Sequence, residues 1–209
     1  AFTQPGDNVL LLTPVYYPFY RAVNLNGRKV VESPIRLVEG RYEVDFDDFE
    51  EKAKQCKMFL LCSPHNPIGR VWSEEELCRM GDICLKHNVL VVSDEIHFDI
   101  IMPGHKHVSY PTLGEKYANN CVMCCAASKT FSLAGLCVAN AIIPNPELRD
   151  KLNNEVNISG CYTYSIFGLR ALEAGYMKCA EWVDQLNEHI WGNYLYFKEF
   201  MAKHFPEVW

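Results

Sequence analysis

Lys129 stands in Ser128-Lys129-Thr130-Phe131-Ser132-Leu133-Ala134-Gly135-Leu136, directly after the apolar run 121–127. A lysine amine held at the mouth of a buried strand can condense with an aldehyde to a Schiff base, and once freed it can carry a proton. Asp94, in Ser93-Asp94-Glu95-Ile96-His97, follows a second apolar run at 89–92. A carboxylate there can keep a pyridine nitrogen protonated, and the two residues together describe a pyridoxal-phosphate (PLP) site. Asn66 follows the apolar run 58–62, and Tyr16 follows the run 9–12. In open α/β sheets ligands lie outside the carboxyl ends of the strands, so four residues that each follow a different strand converge on one edge.

The elements that deliver them are legible as patterns. Apolar, β-branched runs alternate with helical periodicity, which is the signature of βαβ units, so the expected fold is α/β with a mostly parallel sheet. Strands are expected at 9–12, 29–32, 58–62, 89–93, 121–126 and 138–143. Ser73-Glu74-Glu75-Glu76 has the capping-box form and opens a crossover helix through Leu77, Met80, Ile83 and Cys84 to about His87. Shorter helices are expected at 47–55 and 146–154. From Tyr164 onward the pattern is helical only, with Phe167, Ala171, Leu172 and Ala174 on one face. A long helix follows at 180–205, where Trp182, Leu186, Ile190, Tyr194 and Phe197 recur at helical spacing.

The segments Ser-Pro-His-Asn-Pro-Ile-Gly-Arg at 63–70, Ser-Asp-Glu-Ile-His at 93–97 and the stretch around Lys129 resemble fold-type I PLP enzymes of the aminotransferase class I/II superfamily. Within it the chain is most similar to the PatB/MalY-type cystathionine β-lyase, or C–S lyase, branch. The resemblance implies a three-layer PLP-dependent transferase-like large domain, with residues 1–176 as its central part. Residues 177–209 would then be the interdomain helix and the start of a small domain. Lys129 would bind the cofactor covalently and act as the catalytic base, and Asp94 would pair with the pyridinium nitrogen. Asn66 would donate to the 3-hydroxyl, although Asn-Pro also forms turns. Tyr16 would stack on the pyridine, in a cluster with Tyr17, Phe19 and Tyr20 that could equally be core. Ser128 is a candidate phosphate contact or a local cap.

His97 stands where many relatives carry a tyrosine against the 3-hydroxyl; a packing histidine is the other reading. Eight residues beyond Lys129, where aminotransferases commonly have a phosphate-binding arginine, this chain has Cys137. That substitution removes a bidentate anion clamp and favours the lyase branch. Pro103-Gly104-His105-Lys106-His107 recurs in the same branch and is expected as a loop, not a metal site. The implied reaction is β-elimination that cleaves the Cβ–S bond of cystathionine or cysteine S-conjugates to thiol, pyruvate and ammonia. An aminotransferase is the alternative, since both reactions begin with loss of the α-proton. A transcription regulator with an aminotransferase-like ligand-sensing domain is an alternative of another class.

A net charge of −6 with scattered Lys and Arg gives no basic stripe for nucleic acid. No apolar run approaches a membrane span. Ten cysteines, several of them in strand or helix patterns, point to reduced thiols and a cytoplasmic setting. Cys121 and Cys124 form a C-x-x-C without a second pair, so no metal is expected. The partners implied are a small amino-acid substrate and a second subunit in a homodimer. At 209 residues the chain is short for a complete enzyme of this kind and is expected to be an internal segment. The phosphate loop and the carboxylate-binding arginine would lie outside it.

Overall fold

The computed structural model describes residues 1–161 and 163–208. Its first half runs β1 (Asn8–Thr13), α1 (Pro18–Leu25), β2 (Lys29–Pro34), β3 (Arg36–Val38), β4 (Arg41–Glu43), α2 (Phe46–Ala53), β5 (Met58–Cys62) and α3 (Glu74–Lys86). The second half runs β6 (Leu90–Asp94), α4 (Glu115–Ala118), β7 (Cys121–Cys125), α5 (Ala127–Thr130), β8 (Asn140–Ile142), α6 (Pro146–Ile158), α7 (Ile166–Lys178) and α8 (Ala180–His204). Six strands form one sheet in the order β2-β1-β5-β6-β7-β8, while β3 and β4 make a separate hairpin. Neighbours in the large sheet are parallel except β7 and β8.

Strand alternation explains the layers. Leu10, Leu12, Phe59, Leu61 and Val91 point to one face, where they pack with Phe49 of α2 and Leu77, Met80 and Cys84 of α3. Leu11 and Cys62 point the other way and meet Phe19 and Tyr20 of α1. Helices therefore cover both faces, which makes three layers. Leu10, Phe59, Leu61 and Leu77 are wholly buried, each a contribution of about 1.5–3 kcal/mol.

The capping box forms as its residues imply: Glu76 N donates to Ser73 Oγ at 3.2 Å, and Ser73 N donates to Glu76 Oε2 at 2.8 Å. Asp45 caps α2, and Asn145 caps α6 just ahead of Pro146. Helix α6 runs four residues past the expected end at 154, to Ile158.

Two elements differ in kind from expectation. The strand expected at 138–143 is only Asn140–Ile142, and it runs antiparallel to β7. The chain between them makes α5 and a short 3-10 turn at Ala134–Leu136. Such a connection does not carry the chain across a face to the opposite end, as a parallel return requires, so β8 comes back from the edge β7 left. Helix α7 presents a face other than the one its apolar periodicity suggests. Phe167 is 77% exposed, whereas Gly168 and Gly175 are buried, with Ala171 and Leu172 half-buried between them. Close approach selects the small residues: a Cβ at Gly168 would lie 2.3 Å from Val138 Cγ2, and one at Gly175 would lie 2.8 Å from the Phe131 ring. Among the described residues no helix is long and apolar enough to cross a membrane.

Candidate active site

Strands β1, β5, β6 and β7 are consecutive neighbours and parallel, so their carboxyl ends share one edge. The register sets Cys62, Asp94 and Cys124 side by side across three strands at that edge. Asp94 is the last residue of β6 and not the first beyond it. Tyr16 lies three residues past β1, Asn66 four past β5, and Ser128 and Lys129 lie in α5 just past β7. The edge therefore gathers the four residues expected to converge, together with Ser128 and His97.

The loops at this edge are held by buried polar contacts. His65 is 1% exposed, and its Nε2 lies 2.8 Å from the Pro14 carbonyl, which ties the Tyr16 segment to the Asn66 segment. Its ring meets Trp72 edge-on at 5.3 Å between centroids. Trp72 Nε1 donates to the Cys62 carbonyl at 3.0 Å, and Arg70 lies over the Trp72 ring at 4.6 Å while pairing with Glu76. Asn66 N donates to Cys62 Sγ at 3.3 Å, so Asn66 sits in a turn closed on the strand it follows. Tyr16 is 40% exposed, with Phe19 edge-on to it at 5.8 Å, which leaves much of the ring open.

Asp94 and His97 each lie in the field of the other and of the Lys129 charge. Burial pushes the Asp94 carboxyl above its ordinary range; the hydrogen bond from Ile96 N and the charges of His97 and Lys129 oppose that, and Glu95 adds to it. Burial and then the Lys129 charge push the His97 imidazole down, against the pull of Asp94. Asp94 Oδ1 accepts from Ile96 N at 3.1 Å, and among the described residues Oδ2 has no hydrogen-bond partner. The flanking thiols are poor nucleophiles, because burial followed by the Asp94 charge moves Cys124 up to about 11. Cys62 is pushed up to about 12, chiefly by burial. Lys129 is exposed at the open edge and Ser128 half-buried beside it. Three residues on, Ser132 has a φ of 55°, a left-handed conformation uncommon for serine.

Three further residues shape the site without having been apparent in the pattern. Glu95, wholly buried, accepts from Ser93 Oγ and Tyr110 N and pairs with His107 Nε2 at 2.8 Å. His107 thus pins the 99–109 loop beneath the Asp94 turn. Asp99 accepts from the buried Thr130 hydroxyl at 2.8 Å. The alternation Ser93-Asp94-Glu95 did contain one signal, since residues on either side of an edge-facing Asp94 must face inward.

A flat aromatic group with a basic ring nitrogen and an aldehyde suits this arrangement. Asp94 is half-buried and offers a carboxylate oxygen without a partner among the described residues, Lys129 an exposed amine at the same edge, and Tyr16 a partly exposed ring. The fold is that of a known class, and over residues 1–207 the chain matches the family model described as aminotransferase class I and II. The chain belongs to that family.

Particular relatives narrow the likeness. The chain is 41% identical to cystathionine β-lyase PatB of Bacillus subtilis over 100% of its own length and 54% of that protein's. Its structure matches cystalysin from Treponema denticola, described as containing a pyridoxal 5'-phosphate cofactor, with a TM-score of 0.96 and 39% identity over 99% of this chain and 53% of that one. It also matches the PLP-bound C–S lyase from Staphylococcus hominis, with a TM-score of 0.92 and 34% identity over 98% of this chain and 52% of that one. The chain spans about half the length of the curated relatives it matches.

Proposed function

We propose that this chain carries the cofactor-binding centre of a PLP-dependent carbon–sulfur lyase that cleaves the Cβ–S bond of cystathionine or cysteine S-conjugates. The observation that supports it most is the apposition of Asp94, with an unpartnered oxygen, and Lys129 on neighbouring strands of one sheet edge, with the Asn66 and then the Tyr16 loop next along it. The names of the relatives support the lyase direction. PLP, when bound, accepts the electron pair left at the substrate's Cα. Asp94 holds the ring nitrogen's proton, Asn66 donates to the 3-hydroxyl, and Tyr16 covers one face of the ring. Lys129 Nζ anchors the cofactor and, when released, takes the proton from the substrate's Cα. His97 borders the 3-hydroxyl side and Ser128 the phosphate. With water, loss of the thiol leaves pyruvate and ammonia.

Residues 1–176 are then the central part of a PLP-binding large domain, and 177–209 lead from it toward a small domain. The whole protein is a cytoplasmic homodimer in this reading, consistent with ten free cysteines.

The deciding assay uses the whole protein saturated with PLP. Pyruvate release from cystathionine should exceed amino-group transfer to any keto acid. Faster transamination across thioether substrates would replace the lyase with an aminotransferase, and PLP binding without either turnover would favour a ligand sensor.

A further inference from the structure

We propose that Asp99 is a positioning residue for Lys129 and that, through Asn187, it makes the placement of that amine depend on helix α8; this rests on reading Lys129 as the cofactor lysine. Helix α5 is a single turn, Ala127–Thr130, and its N-cap residue Ala126 supplies no side-chain hydrogen bond. One turn of helix does not hold itself in water, because nucleation fixes several residues for one hydrogen bond. The direction of Lys129 is therefore set by what its neighbours touch.

Thr130 is wholly buried, and its Oγ1 donates to Asp99 Oδ2 at 2.8 Å. Successive residues of a helical turn point about 100° apart, so pinning Thr130 inward leaves Lys129 turned toward the open edge. The Thr130 hydroxyl donates and Asp99 Oδ2 accepts, which orients the hydroxyl toward the Asp99 turn. Asp99 belongs to the turn that leaves Asp94, closed by Phe98 N to Glu95 O at 3.1 Å and Ile100 N to His97 O at 3.0 Å. The Asp99–Thr130 bond thus fixes the lysine turn against the aspartate turn.

Helix α8 grips the same two points. Asn187 Nδ2 donates to the Asp99 carbonyl at 2.9 Å, and Trp182 lies 5.7 Å from the ring of Phe131, two residues beyond Lys129. Phe131 also rests on Gly175 and meets Tyr176 edge-on at 5.7 Å. A displacement of α8 would be felt at Asp99 and Phe131 together, on either side of the lysine turn.

The test is the rate at which the cofactor-free whole protein captures PLP on Lys129, stopped with borohydride at intervals and quantified by mass spectrometry of the Lys129 peptide. Thr130→Val and Asp99→Ala should slow labelling at least fivefold, Asn187→Ala by less, and Thr130→Ser should retain the parent rate. Tyr117→Phe removes a 3.0 Å bond to Asp82 on a remote helix and should leave the rate unchanged. Unchanged labelling in Thr130→Val and Asp99→Ala, or equal slowing in Tyr117→Phe, would overturn the positioning role alone. A label found on another lysine of the parent would overturn the reading of Lys129 itself. If Asp99→Ala does not fold, the contrast between Thr130→Val and Thr130→Ser decides the matter.

Discussion

Replacing Asp94 by asparagine should strengthen the cofactor-free protein at neutral pH and weaken its hold on PLP. The carboxyl is raised in the folded state, first by burial and further by Glu95, against the opposing effects of Ile96 N, His97 and Lys129. A carboxyl raised by folding favours the folded state at low pH and loses that contribution as the pH climbs through the raised value. Above it the ionised Asp94 opposes folding, and asparagine removes the charge while its Oδ1 can still accept from Ile96 N at 3.1 Å. The expected gain is about 1 kcal/mol, the low end for an under-partnered polar group, because Asp94 is only half-buried. It should shrink as the pH falls and vanish below the ~3.9 of an unperturbed aspartate, where Asp94 is protonated in both the folded and unfolded chain.

With PLP present the sign reverses. A ring nitrogen that keeps its proton supplies the partner Asp94 Oδ2 lacks, and asparagine cannot balance that charge. A hydrogen bond to a charged group contributes ~1.5–3 kcal/mol, so PLP affinity should fall roughly 10- to 150-fold. Urea unfolding of the cofactor-free protein at pH 7 and pH 4.5 reads the first effect, and absorbance titration with PLP reads the second. A variant less stable than the parent at pH 7 without cofactor, or one with unchanged PLP affinity, would refute the reasoning.

Lys129→Ala should abolish the borohydride-fixed PLP label while far-ultraviolet circular dichroism stays unchanged; persistence of the label would move the anchor to another lysine. Gly168→Ala should destabilise by about 1–3 kcal/mol in urea unfolding, because its Cβ would lie 2.3 Å from Val138 Cγ2 and 2.9 Å from the Leu136 carbonyl. Trp72→Phe keeps the ring against His65 but strands the Cys62 carbonyl, and should cost about 1–3 kcal/mol of stability and loosen the Asn66 turn. Slower PLP capture at unchanged substrate KM would show that loosening.

Without revealing α1, α4, α5 or the β3–β4 hairpin, the sequence by itself determined the six strands of the large sheet, the capped start of α3 and the four residues that follow neighbouring strands at its edge. These are local signals. Apolar runs bounded by polar residues mark buried strands, a Ser with Glu three positions on marks a helix start, and parallel strands place whatever follows them at one edge. Tertiary structure alone decided the direction of β8, because whether the chain returns parallel depends on where the intervening turn packs and not on the strand's own residues. It also decided that α7 packs through Gly168 and Gly175 and not through Phe167, since the choice of face depends on the distance to Val138 and Phe131. The polar ties that hold the site were invisible for the same reason. Glu95 with His107, His65 with the Pro14 carbonyl, and Asp99 with Thr130 and Asn187 join residues from 12 to 88 positions apart. A hydrogen bond between separate segments leaves no periodicity in either; only folding brings its donor and acceptor within reach.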